Sequence, residues 1–162
     1  MPQFIQKYTI VQFFDKIQDG YEYDSSSWPL HSTVVDTFAI DWSLEEMTAK
    51  VADVLSQHTP VVSQVKEDMF FGENGQVQVT LLEKTDELAR LHADIVAVLE
   101  QGGLTLNDPQ FAGAGFLPHA TVQKHARLVS GDAVRFSALS IIDMFPDEDA
   151  YRRKVRKTLT LG

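Results

Sequence analysis

The 162-residue chain contains no cysteine. That absence excludes a disulfide framework, a thiolate metal site and a cysteine nucleophile together. Positive charge is scarce as well: 14 Lys and Arg stand against 23 Asp and Glu, a net charge of −9. A surface this acidic repels long polyanions, which argues against duplex nucleic acid as a partner. No apolar run approaches the ~20 residues that a membrane-spanning helix requires, so no membrane partner is expected. The first 14 residues lack the apolar core of a signal peptide, because Gln and Thr interrupt them, and a cytoplasmic location is the expectation. Linkers are missing too. Nine Gly and six Pro are scattered rather than clustered, which predicts a single domain over residues 1–162.

What remains is ordinary globular composition, 44% hydrophobic and 23% charged, on a chain long enough to bury a core. Residues 3–14 and 31–40 are rich in β-formers and predict strands, with a polar loop over 15–27 between them. Ser43, with Glu46 three residues on, forms a capping box, and Leu44, Met47, Val51, Val54 and Leu55 recur at helical spacing, predicting a helix over 44–57. Two β-type runs, 61–71 and 76–83, flank Asn74-Gly75, a hairpin signal. Thr85 caps a helix over 85–101 with the stripe Leu88, Leu91, Ile95, Val98 and Leu99, closed by Gly102-Gly103. A loop over 104–116, a strand from Leu117 and two last β runs, 132–145 and 150–161, complete an α+β pattern of about seven strands and two helices.

The chemistry-bearing feature is a repeat. His31-Ser32-Thr33-Val34 and His119-Ala120-Thr121-Val122 lie about half a chain apart, each opening a β-type run with a proline one or two residues upstream. On a strand, residues i and i+2 share a face, so each motif presents an imidazole beside a hydroxyl. If the two strands face each other across a cleft, one imidazole can take a proton from water while the other gives one to a leaving oxygen. The threonines can hold the non-bridging oxygens of a phosphate. This chemistry needs neither metal nor cofactor.

The paired motifs resemble those of the 2H phosphoesterases, the family of 2′-5′ RNA ligase-like proteins and cyclic phosphodiesterases, whose second motif is usually Pro-His-x-Thr, as in Pro118-His119-Ala120-Thr121. The resemblance extends along the chain. It implies two pseudo-symmetric α+β lobes whose antiparallel sheets flank a central cleft, with the helices outside. It implies general acid/base roles for His31 and His119 and phosphate binding by Thr33 and Thr121. The substrate it implies is a 2′,3′-cyclic phosphate on a small nucleotide or RNA end, and family precedent allows 2′-5′ ligation. The rival expectation is a catalytically silent module that binds a nucleotide or RNA end on the same fold. Ligase-like members often carry an aromatic shortly after the first motif and an Arg after the second. Here those stretches read Val35-Asp36-Thr37-Phe38 and Gln123-Lys124-His125-Ala126-Arg127, with Lys124 or Arg127 offering the positive charge.

Four further residues are accessory candidates. Lys124 and His125 follow the second motif, and His125 shares the face of His119 if the strand continues. Arg152 and Lys154 belong to a C-terminal run holding five of the 14 basic residues. That run reads as a phosphate contact beside the cleft or as a solvated strand face that discourages edge pairing, with Val155, Leu159 and Leu161 sharing its other side. His58 and His92 read as surface histidines without partners. Gly113-Ala114-Gly115 lacks the Lys and Ser/Thr of a phosphate loop and reads as a turn.

Overall fold

The computed structural model describes residues 5–162. Its strands are β1 (Tyr8–Phe13), β2 (Glu22–Asp24), β3 (His31–Ala39), β4 (Val61–Phe71), β5 (Val77–Leu82), β6 (Thr105–Leu106), β7 (His119–Thr121), β8 (Ala133–Phe136), β9 (Ala138–Asp143) and β10 (Arg152–Thr160). Helix α1 (Leu44–Leu55) follows β3, and α2 (Asp86–Glu100) follows β5. The strands form two antiparallel sheets, ordered β2-β10-β9-β1-β3-β6 and β7-β5-β4-β8. The first His-x-Thr motif therefore lies within one sheet and the second on the edge strand of the other. The α+β expectation holds.

Both helices start where their caps place them. The Ser43 hydroxyl accepts the Glu46 N–H at 3.1 Å, and Thr85 does the same for Leu88 at 3.1 Å. Helix α1 buries Met47, Val51 and Leu55, and α2 buries Leu88, Leu91, His92, Ile95 and Leu99. Each of the apolar side chains contributes about 1.5–3 kcal/mol of transfer free energy. Beyond α2 the glycines are required. A Cβ on Gly102 would lie 2.3 Å from the Trp42 ring, and Gly103 has φ +81°.

One core joins the helices to both sheets: Ile10, Val34, Val35 and Phe38 from the first sheet meet Val61, Val65, Leu82 and Phe136 from the second. A bulge in β3 lets Val34 and Val35 both turn inward, because Ile10 pairs with Val35 and Val11 already with Thr33. The bulge leaves His31 and Thr33 on the opposite face, in register with Phe13 and Val11. That face carries a second, smaller cluster of Val11, Phe13, Tyr23, Ile142 and Val155, against which Trp28 packs.

Several expectations shift. Residues 3 and 4 of the first predicted strand lie outside the described residues, and among the rest the strand is β1, Tyr8–Phe13. The loop predicted over 15–27 contributes β2, and that over 104–116 contributes β6 and two 3₁₀ turns, at Pro109–Phe111 and Gly113–Gly115. The run predicted over 132–145 is two strands in different sheets, β8 and β9, and Ser137 crosses between them. The buried Gln12 side chain fixes the crossing, its Oε1 accepting the N–H groups of Ser137 and Ala138 at 2.8 and 3.1 Å. The Asn74-Gly75 hairpin forms with a longer connection, 72–76, in which Gly72 and Gly75 take positive φ. In β10 a bulge between Val155 and Lys157 separates Val155 from Leu159 and Leu161, which turn toward the larger core. No helix among the described residues is long and apolar enough to cross a membrane.

Candidate active site

Strands β3 and β7 pack against each other, which brings the two His-x-Thr motifs together. The histidines are anchored alike. The Nδ1–H of His31 donates to the Pro29 carbonyl at 2.8 Å, and that of His119 to the Leu117 carbonyl at 2.7 Å. Each bond reaches back two residues, and each fixes the neutral tautomer with its proton on Nδ1 and a lone pair on Nε2. Neither Nε2 meets a hydrogen-bond partner among the described residues, nor do the hydroxyls of Thr33 and Thr121. Two imidazole nitrogens and two hydroxyls are thus left for a ligand.

The surroundings of the two rings differ. His31 lies under Trp28, ring centroids 4.6 Å apart, and near the edge of Phe13 at 6.1 Å. Burial lowers its pKa; the Pro29 carbonyl opposes that shift and the neighbouring His119 adds to it. His119 packs edge-on against Phe71 at 5.0 Å and lines a cavity of about 340 Å³. Thr33, Val34, Asp36, Gln110, Phe111 and Phe116 also border this cavity.

One wall of the cavity is held by a residue that the sequence pattern left on the surface. His92 is 2% exposed, its Nδ1–H donates to the Val34 carbonyl at 2.6 Å, and its Nε2 accepts the Gly113 N–H at 3.0 Å. Its ring stacks on Phe116. The signal was present: position 92 falls within the apolar stripe, four residues after Leu88 and three before Ile95. His58 has a partner too, bonding Asp94 at 2.9 Å.

The accessory candidates do not converge on this cavity. Strand β7 ends at Thr121, and the Gln123 N–H closes a turn on the Ala126 carbonyl, so Lys124 and His125 stand exposed in a loop rather than on a continuing strand. Arg127 bonds Asp68 at 2.6 Å and Thr80 at 3.4 Å. Thr80 is in register with Ala120, on the face away from His119 and Thr121. Lys154 is in register with Asp143, and Asp143 with Tyr8; Arg152 shares that side, the face opposite Thr33. Arg152 and Lys154 also stand directly across from Asp24 and Glu22 of β2.

The 2′-5′ RNA ligase superfamily model matches residues 6–138. The chain belongs to that superfamily. Its fold is likewise that of the LigT-like 2H phosphoesterases. The structure of TT0787 from Thermus thermophilus is similar over 96% of this chain and 97% of that one, with a TM-score of 0.61 at 14% identity. E. coli LigT, crystallised with NADP+, is similar over 96% and 97% with a TM-score of 0.54 at 11% identity. A structure described as a phosphoesterase gives 0.57 at 10% identity over 96% and 98%. No curated protein sequence matches. The superfamily member thus keeps the fold at identities where little else of the sequence is shared.

Proposed function

We propose that the protein is a metal-independent phosphoesterase that opens a 2′,3′-cyclic phosphate on a small nucleotide or RNA end, with His31 as general base and His119 as general acid. The observation that carries this reading is the matched anchoring of the two rings. Each Nδ1–H is tied to a carbonyl, so each Nε2 is committed to exchange with a ligand.

The asymmetry of the surroundings supports the division of labour. Burial keeps His31 neutral at neutral pH, with an Nε2 lone pair for the attacking water. That water forms the new P–O bond as His31 takes its proton. The bond from phosphorus to the 2′ or 3′ oxygen breaks, and His119, protonated on Nε2, gives that oxygen its proton. The product is a phosphomonoester. A proton passing from His31 to solvent and one from solvent to His119 restore the starting state. The Thr33 and Thr121 hydroxyls donate to the non-bridging oxygens as charge builds on them. E. coli LigT has been crystallised with NADP+ and with 3′-AMP, which supports a small nucleotide as ligand. With a 5′ hydroxyl in place of water as the attacking group, His31 taking its proton and the 3′ oxygen leaving with the proton of His119, the same groups would join a 2′-5′ bond.

The test is hydrolysis of 2′,3′-cyclic nucleotides by wild-type protein and by His31→Ala and His119→Ala. Loss of activity by about 10²–10⁴ in each is expected. Full activity in either variant overturns the two-histidine mechanism, and a wild type that binds nucleotide but never turns over supports the silent binding module instead.

A further inference from the structure

The cavity beside His119 has a composition of its own. Three phenylalanines, Phe71, Phe111 and Phe116, form much of its wall, and besides Thr33 and His119 of the motifs two polar residues, Asp36 and Gln110, line it. Asp36 makes no hydrogen bond or ion pair with the described residues. The cation above Phe116, Lys84 at 5.8 Å, donates to the Gly113 and Ala114 carbonyls instead. Asp36 is half-buried, and a ligand that filled the cavity would take water from its carboxylate, which calls for donors from that ligand.

Position narrows the ligand further. Asp36 follows Thr33 by three residues on β3, at most about 10 Å along the strand. A molecule with its phosphate at Thr33 therefore extends its other end to Asp36. The apolar lining, with its three phenylalanines, fits a planar ring. We infer that the cavity receives the nucleobase of the substrate and that Asp36 selects a base bearing an exocyclic amine. Where the phosphate sits rests on the phosphoesterase reading; the base preference rests on the cavity.

Adenine, cytosine and guanine each place an amino group on the edge that points away from the sugar, and a carboxylate accepts from such a group. Uracil places a carbonyl oxygen on either side of its single N–H there, so its lone pairs oppose those of Asp36. A ligand that covers this acceptor without pairing it is penalised. A quaternary ammonium would suit rings and carboxylate as well, but it brings no N–H to satisfy the acceptor.

Calorimetric titration of the full chain with 3′-AMP, 3′-GMP, 3′-CMP, 3′-UMP and phosphocholine tests this without needing turnover. At least one amine-bearing nucleotide should bind roughly 10-fold or more tightly than 3′-UMP. In Asp36→Asn, whose amide can turn to donate, the ratio should fall below about 3-fold, with Asp36→Ser as the second variant and thermal unfolding as the check that both fold. Equal or tighter binding of 3′-UMP, an unchanged ratio in both variants, or tighter binding of phosphocholine overturns the inference. Discriminating binding without hydrolysis of cyclic nucleotides would remove the catalytic reading and leave this one. Hydrolysis without base preference would do the reverse, and neither binding nor hydrolysis overturns both.

Discussion

His92 lies flat on Phe116, the ring centroids 4.1 Å apart and the planes within 2° of parallel. The same imidazole bridges the Val34 carbonyl on β3 and the Gly113 amide in the loop before the second motif. One buried ring thus ties the loop that walls the cavity to the strand that carries the first motif. Both bonds require the neutral form, with Nδ1 as donor and Nε2 as acceptor. Burial supplies it, lowering the His92 pKa against the opposing pull of the Val34 carbonyl, with Lys84 adding to the lowering.

Replacing His92 by Phe keeps the stacked ring and strands both backbone partners. The expected loss is about 1–3 kcal/mol, from the buried Val34 carbonyl left unsatisfied, whereas the exposed Gly113 N–H can turn to water. The pH dependence has a definite sign. A histidine with a folded pKa below its unfolded value of about 6.5 takes up its proton preferentially on unfolding, so its stabilisation is complete above pH 6.5 and fades as pH falls toward the folded value. His31 contributes in the same direction. Urea midpoints measured from pH 7.5 to 5 should therefore fall for the wild type and fall less for His92→Phe. An identical slope in the variant would show that His92 is not one of the groups responsible.

Trp28 controls the other histidine. Its ring covers His31 at 4.6 Å and meets Tyr23 edge-on at 5.2 Å, so water is kept from one side of the imidazole. Trp28→Ala admits that water and raises the His31 pKa toward its ordinary value. If His31 is the base, the acid limb of the pH profile of kcat/KM moves to higher pH by the same interval. An acid limb that stays in place would separate Trp28 from the base.

How far the sequence foretold all this depends on the range of the cause. The helices were legible because their caps and stripes are local: Ser43, Thr85 and the Leu88–Leu91–Ile95 spacing act within a few residues. The two motifs were legible because their spacing on a strand places His and Thr on one face without help from elsewhere. The break between β8 and β9 was not, since the side chain that holds Ser137 in the crossing is Gln12, at the opposite end of the chain. The end of β7 at Thr121 was likewise hidden: it takes three residues of pairing with β5 to define that strand, and the turn that follows carries Lys124 and His125 away. The face of Arg152 and Lys154 depended on a bulge in β10 and on pairing across three strands.

The threonines give a test of ground the histidine variants cannot reach. Thr33→Val and Thr121→Val keep the β-branched shape and remove one hydroxyl each. Neither hydroxyl bonds within the described residues, so the fold should lose less than about 0.5 kcal/mol. Each loss at a phosphate oxygen should make kcat/KM roughly 10- to 100-fold lower, since such a bond to a charged group contributes about 1.5–3 kcal/mol. A fall in kcat with KM unchanged would place the contact in the transition state, whereas a rise in KM alone would make it ground-state binding. No change in either parameter would remove the threonine concerned from the site.

The basic run divides into residues that hold the fold and residues that face solvent partners. Arg156 bonds Asp143 at 2.8 Å, and the Asp143 side chain is only 4% exposed. Gln6 and the Phe145 N–H donate to the same carboxylate at 2.6 and 2.8 Å. Arg156→Met removes the cation bonded to this buried group and should cost about 3–5 kcal/mol, as breaking a buried pair does. The two remaining donors keep the cost toward the lower end. Arg152 and Lys154 lie across from Asp24 and Glu22 at the sheet edge, where ion pairs contribute about 0–1 kcal/mol. Arg152→Ala with Lys154→Ala should therefore leave the urea midpoint nearly unchanged, and the catalytic efficiency toward a cyclic mononucleotide likewise. A loss of catalytic efficiency by roughly an order of magnitude, persisting at high salt, would mean that these side chains reach the substrate despite the register that turns them away from Thr33.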